Sequence, residues 1–329
     1  MNDFTQLIDL AAERVGGLVL GTSDDFFAEK ENLIKPGRGI FIDDKYTDHG
    51  KWMDGWESRR KRVAGHDWCT LKLGLRGVIQ GVDIDTNHFL GNHPPHASIE
   101  AACVDQTPEE QDWIEILAKA PLEPGSQNLY EINSKQEWTH LRLHIYPDGG
   151  VARLKVYGEV KPDWRKVAGD QVIDLVAVEN AGRVISCNDM FFSSKDNLIM
   201  PGRGVNMGDG WETKRRRGRG HDWSILKLGH AGFIDMIEVD THHFKGNYPD
   251  RCSIESIYAP DAIDSGLEGL NWEQLLPETK LNAHDQHYFE QQLLHHNKVS
   301  HIRFNIFPDG GISRLRLNGR IADHTHNNS

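Results

Sequence analysis

The sequence predicts an all-β protein, with an antiparallel sandwich or jelly roll in each half and few short helices. Three observations carry this. A unit of about 150 residues occurs twice. Apolar and polar residues alternate at matching places in both copies. Gly- and Pro-rich turn signals separate the alternating stretches.

The repeat runs in order through the chain. Leu7-Ile8-Asp9-Leu10 answers Val172-Ile173-Asp174-Leu175, and Asp24 to Gly39 answers Asp189 to Gly204. Asp54-Gly55-Trp56-Glu57 answers Asp209-Gly210-Trp211-Glu212, and Gly65-His66-Asp67-Trp68 answers Gly220-His221-Asp222-Trp223. Asp85 to Phe89 (DTNHF) answers Asp240 to Phe244 (DTHHF). Ser98-Ile99-Glu100 answers Ser253-Ile254-Glu255, and the Pro-Asp-Gly-Gly at 147–150 answers that at 308–311. This is a whole-domain duplication, with domains at 1–163 and 164–329. Its main asymmetry is Ile40 to Met53, where the second copy has only Val205 to Gly208. Insertions sit in surface loops, and this one lies beside Asp54-Gly55-Trp56-Glu57, where it would shape one site and not the other.

Leu141, Leu143 and Ile145 alternate with Arg142, His144 and Tyr146, as Ile302, Phe304 and Ile306 do with Arg303, Asn305 and Phe307. That period is a half-buried strand. Val82 and Ile84 alternate with Asp83 and Asp85 in the same way. Pro-Asp-Gly-Gly is a turn signal, and alternation resumes at Val151 to Val156 and Ile312 to Leu317, so each unit is expected to end in a hairpin. Helical spacing is scarce, the candidates being Phe4 to Val15, Trp113 to Ala120 and Trp272 to Leu276.

A net charge of −12 argues against nucleic acid or an anionic membrane as partner. No apolar run approaches a bilayer span. Met1 to Leu10 contains Asp3 and Asp9 and does not read as a secretory signal, so a cytoplasmic location is expected. Cys69, Cys103, Cys187 and Cys252 form no CxxC pair and do not recur between copies, which predicts free, mostly buried thiols.

Five shared motifs carry polar chemistry. Arg38 and Arg203, each flanked by glycines, either approach a ligand with the backbone or pair with a carboxylate. The basic runs Arg59 to Arg62 and Lys214 to Arg217, if strands, point alternate cations to opposite faces. His66 and His221 are either proton carriers or structural imidazoles. In Asp85 to Asn92 and Asp240 to Asn247, carboxylate and imidazole three residues apart leave a divalent metal open, without firmly implying any cofactor. Arg142, Arg153, Arg303 and Arg314 reach either a ligand carboxylate or sheet-face partners. There is no GxSxG, P-loop or GxGxxG.

Together these motifs resemble the allantoicase family over nearly the whole chain. The resemblance implies two tandem jelly-roll β-sandwich domains of galactose-binding-like type. It implies a hydrolase that converts allantoate to ureidoglycolate and urea in purine (allantoin) catabolism, and it favours a homo-oligomer. Allantoate carries a carboxylate and two ureido groups on one carbon, so it calls for an arginine clamp, carboxylate acceptors and an acid–base pair. On that basis Arg38 or Arg60 holds the carboxylate, with Asp54, Trp56 and Asn92 as further binding residues. Glu57, Asp85, His66 and His88 are the candidate catalytic groups. Their second-copy counterparts are Arg203, Arg215, Asp209, Trp211 and Asn247 for binding, and Glu212, Asp240, His221 and His243 for catalysis. The competing readings are a carbohydrate-binding protein, in which Trp56, Trp68, Trp211 and Trp223 stack on sugars, and a structural assembly protein.

Overall fold

The computed structural model describes residues 4–322, so Met1 to Asp3 and residues 323–329, at the ends of the two expected domains, lie outside it. The chain divides into two compact units, Met1–Pro162 and Asp163–Ser329.

In the first unit the long strand Asp67–Asp85 organises both layers. Its first half pairs with Glu137–Tyr146, Leu71 standing opposite Leu141, and with Leu18–Thr22. Its second half pairs with Arg153–Val160 and Gln127–Glu131. One strand therefore serves two sheet halves, as at the corner of a sandwich. The corner is at Gly74 and Gly77, where a Cβ would come within 2.4 Å of the Val15 carbonyl oxygen and 2.3 Å of that of Glu159. Only glycine lets backbones approach so closely. Asp222–Asp240 plays the same part in the second unit, pairing with Val299–Phe307, Arg183–Cys187, Arg314–Ile321 and Gln286–Phe289. Leu71, Ile79, Leu141, Leu143, Ile145, Leu154 and Val156 are fully buried. Each contributes ~1.5–3 kcal/mol by leaving water.

The fold is all-β as expected. Among the described residues the helical elements are short 3-10 turns alone. Trp113 to Ala120 and Trp272 to Leu276 do not form helices: Ile114–Pro121 and Glu273–Lys280 are strands on the neighbours His96–Ala102 and Arg251–Ile257. Phe4 to Val15 holds two 3-10 turns around a two-residue strand. Sheet pairing overrides local spacing in such short segments. The expected terminal hairpins are also corrected. Gly150–Val151 pairs with Trp56–Glu57, and Arg153–Val160 with Asp67–Asp85 and Ile8–Asp9, so Pro-Asp-Gly-Gly carries the chain from one strand set to another.

Much of the motif repetition is a packing clip. Phe89, 1% exposed, lies against both Gly55 and Gly150: a Cβ would stand 2.7 Å from its ring at Gly55 and 2.0 Å at Gly150. Phe244 meets Gly210 and Gly311 likewise. Gly150→Ala should therefore destabilise the chain by about 1–3 kcal/mol through overpacking, read as a lower thermal midpoint; an unchanged midpoint contradicts the clip. All four cysteines are free, Cys69 and Cys252 being buried and Cys103 and Cys187 half-buried. No helix among the described residues is long and apolar enough to cross a membrane.

Candidate active site

The clip places Glu57. Its backbone pairs with Gly150 on one side and with Ala28 on the other. The Asn92 carbonyl accepts the Gly150 N–H at 2.8 Å, and the Asn92 amide donates to Glu57 Oε1 at 2.7 Å. Glu57, His88 and Asn92 line one cavity of about 630 Å³ with Asn87, Phe27 and Gly125. Leu90 and Gly91 add to it, and the insertion supplies one wall: Phe41, His49, Gly50, Lys51 and Met53. A small two-stranded ribbon, Tyr46–Thr47 with Gly50–Lys51, shapes that wall. Lys51 donates to the Asp43 carbonyl and lies over the rings of Phe41 and Tyr46 at 4.8 and 4.7 Å.

Burial pushes the Glu57 carboxyl above the usual range, and the single Asn92 hydrogen bond only partly opposes it. A carboxyl so tuned is suited to hold and give a proton. His88 adopts a positive φ of 68°, as its counterpart His243 does at 71°. Such a backbone is strained for histidine and is held here by the Phe89 N–H bonding back to the Thr86 carbonyl.

Several expected site residues are engaged elsewhere. Asp85 is fully buried and takes both Arg38 Nε (2.8 Å) and Nη2 (3.0 Å), plus the Asn87 N–H. Asp240 and Arg203 repeat this at 3.0 and 3.2 Å. Asp85 and Asp240, both fully buried, each hold an arginine that is half exposed. Asp54 pairs with Arg153 at 2.9 Å and accepts the Ile40 N–H, while Asp209 pairs with Arg314 at 2.8 Å. Each thus holds a buried arginine. Trp56 and Trp211 are wholly buried, their indole N–H groups donating to the Asp24 and Asp189 carbonyls. They cannot stack on any ligand, which removes both from the binding set and half the aromatic platform of the carbohydrate reading.

The basic runs are loops, not strands. Arg59 and Lys61 are tied to Asp24 and Asp67, and Lys214 and Arg216 to Asp189 and Asp222. Arg60 and Arg215 are exposed, with no ion pair among the described residues. His66 does not line the Glu57 cavity but bonds to His144, and His221 bonds likewise to Asn305 in the second unit. Arg142, Arg153, Arg303 and Arg314 all pair with carboxylates. Sequence reasoning missed Lys51, Asn87 and Phe41, although the unmatched insertion beside Trp56-Glu57 was the signal for two of them. No group of three or more His, Cys, Asp or Glu among the described residues is placed to hold a metal ion.

The second unit keeps the Glu212–Asn247 bond but has no insertion. Where the first unit has Asn87, His88 and Gly125, it has His242, His243 and His284, with ring centroids 4.0 Å (His242–His243) and 4.3 Å (His242–His284) apart. The two versions are therefore chemically unequal.

Fold and site together define an internally duplicated β-sandwich protein in which Glu57, His88 and Lys51 line a loop-end cavity of the first unit. The allantoicase repeat matches the chain twice, over residues 8–161 and 173–322, and the chain belongs to that family. It is 51% identical to a probable allantoicase of Burkholderia mallei (strain ATCC 23344) over 97% of its length and 96% of that protein's. It is 48% identical to the allantoicase of Dictyostelium discoideum, covering 97% of this chain and 88% of the relative. The crystal structure of the Saccharomyces cerevisiae allantoicase superimposes with a TM-score of 0.80 at 36% identity, covering 95% of this chain and 93% of that one.

Proposed function

We propose that the protein hydrolyses allantoate to ureidoglycolate and urea in the first-unit cavity. The observation that carries this is Glu57, a carboxyl raised by burial and held by Asn92, in a cavity that also presents Lys51 and His88. Lys51 supplies the cation that a carboxylate substrate needs, and the side-chain oxygens of Asn87 and Asn92, whose NH2 groups already donate within the fold, suit ureido N–H donors. Protonated Glu57 gives its proton to one ureido nitrogen as the bond from that nitrogen to the central carbon breaks and urea leaves. The lone pair of the other ureido nitrogen stabilises the cation formed. Water adds to that carbon, and its proton returns to the Glu57 carboxylate directly or through His88. Atoms balance as allantoate plus water to ureidoglycolate plus urea.

Urea release from allantoate by the purified chain, with and without chelator, tests the reading; no release overturns it. Lys51→Ala should raise KM by about 10–100-fold with a smaller effect on kcat, since a charge-assisted hydrogen bond is worth ~1.5–3 kcal/mol. A normal KM would remove Lys51 from the carboxylate. The same reading places the enzyme in the cytosol, where its four unpaired thiols are chemically at home, and in a homo-oligomer. Sedimentation at a multiple of 37.3 kDa would bear out the oligomer; sedimentation at that mass itself would refute it.

A further inference from the structure

Both units carry a second constellation that the proposed reaction does not use. It lies on a sheet face and is copied position by position: His66 and His221, Trp68 and Trp223, Glu100 and Glu255, Trp113 and Trp272, Arg142 and Arg303, and Tyr146 with Phe307. In the second unit these residues line a cavity of about 520 Å³ with Ser253, Gln274, Glu278 and Asn305. None corresponds to a residue of the Glu57 cavity.

The hydrogen bonds fix which histidine nitrogen faces outward. Asn305 Nδ2 donates to Glu255 Oε2 at 3.0 Å, and a carboxylate only accepts, so the amide orientation is determined. Asn305 Oδ1 then faces His221 Nε2 at 3.2 Å, and that nitrogen must carry the proton. In the tautomer with that proton, the lone pair is on His221 Nδ1. The first unit reaches the same state by other means. Glu100 faces His144 Nε2 at 2.8 Å, and in the tautomer with its proton there His144 Nδ1 accepts from His66 Nε2 at 2.9 Å, which puts the His66 lone pair on Nδ1. The two histidines also sit alike against their aromatic neighbours, at 4.6 Å from Tyr146 and 4.6 Å from Phe307. Two different supporting side chains thus hold one acceptor in one pose.

The charges of the second-unit cavity are matched internally. Arg303 binds both oxygens of Glu255, at 2.6 and 2.8 Å, and its guanidinium lies over Trp272 at 5.4 Å. Glu278 is paired with Arg251 at 2.6 Å. What remains for a ligand is aromatic surface from Trp223, Trp272 and Phe307, the His221 acceptor, and the exposed Gln274 amide, which both donates and accepts. An ion would find no unmatched countercharge there.

We propose that this cavity is a separate binding site for a flat, uncharged molecule bearing N–H donors, of the cyclic ureide or cyclic amide class. The ring packs on indole, and an N–H donates to His221 Nδ1. The proposal stands independently of the reaction assigned to the Glu57 cavity.

The probe is hydantoin, titrated calorimetrically into the full chain, with acetate and galactose as the anionic and sugar comparisons. Hydantoin should bind, and Trp272→Ala and Gln274→Ala should each weaken it at least tenfold while leaving allantoate turnover unchanged. Gln274 is exposed, so its replacement tests the site even if Trp272→Ala does not fold. Glu57→Gln should leave hydantoin binding intact. Absence of binding, tighter binding of acetate or galactose, binding lost only in Glu57→Gln, or turnover lost in folded Gln274→Ala would each overturn the proposal.

Discussion

Glu57→Gln is expected to lower kcat for allantoate by about 10²–10⁴-fold, the usual contribution of a positioned proton donor, with little change in thermal stability. Glutamine keeps the shape and can still bond Asn92, but it cannot release and recover a proton. Glu212→Gln in the second unit should leave most of the activity, because that unit lacks the Lys51-bearing insertion and has His242 and His284 where Asn87 and Gly125 stand. Equal losses in the two variants would place working sites in both units. The pH profile adds a signed test. Burial raises the Glu57 carboxyl, so its protonated form persists to higher pH than for an ordinary glutamate, and activity should fall as pH rises through that raised value. The Asn92 bond lowers it, favouring the carboxylate. Asn92→Ala should therefore move this alkaline limb to higher pH, whereas a purely structural Asn92 would lower activity without moving the limb.

Arg153→Met should cost about 3–5 kcal/mol of stability, the penalty for leaving one member of a buried ion pair without its partner. Arg153 is 2% exposed and donates to the Asp54 carboxylate and to the Asp54, Ala152 and Pro36 carbonyls. Burial alone would raise the Asp54 carboxyl; the bonds from Arg153 and the Ile40 N–H outweigh it and hold it below its usual value. The pair therefore contributes stability that is present at neutral pH and lost as pH falls through that lowered value. Adding Asp54→Asn to Arg153→Met should recover part of the loss, since the orphaned charge is gone. Guanidinium-induced unfolding of the single and double variants measures this. A single variant within 1 kcal/mol of the parent would show that solvent reaches the pair. Because these bonds tie the Pro36 to Gly39 turn to the bend at Asp54 that leads into Trp56–Glu57, weakened catalysis should accompany the lost stability.

The duplication, the all-β class, the free thiols and the family were legible from residue order alone. They depend on period, composition and motif order, which the chain displays directly. The insertion was also visible as the point where the copies diverge, and it supplies one wall of the cavity. Glu57, His88 and Asn92 could be named as candidates because they recur at turns in both copies.

Which polar residues remain available was decided by tertiary structure. Arg38 and Asp85 are 47 residues apart, and Arg153 and Asp54 are 99 apart. Only strand pairing brings them together, and a buried charge takes the partner that pairing delivers. Asp54, Asp85, Trp56 and their counterparts recur in both copies, and in both the pairing of distant segments gives them partners within the fold. The same holds for Ile114–Pro121, whose spacing suggested a helix until the open edge of His96–Ala102 offered it backbone partners, and for Pro-Asp-Gly-Gly, which reads locally as a hairpin turn but joins different strand partners. Sequence records what each residue can do; the pairing of distant strands determines which of those capacities is already used.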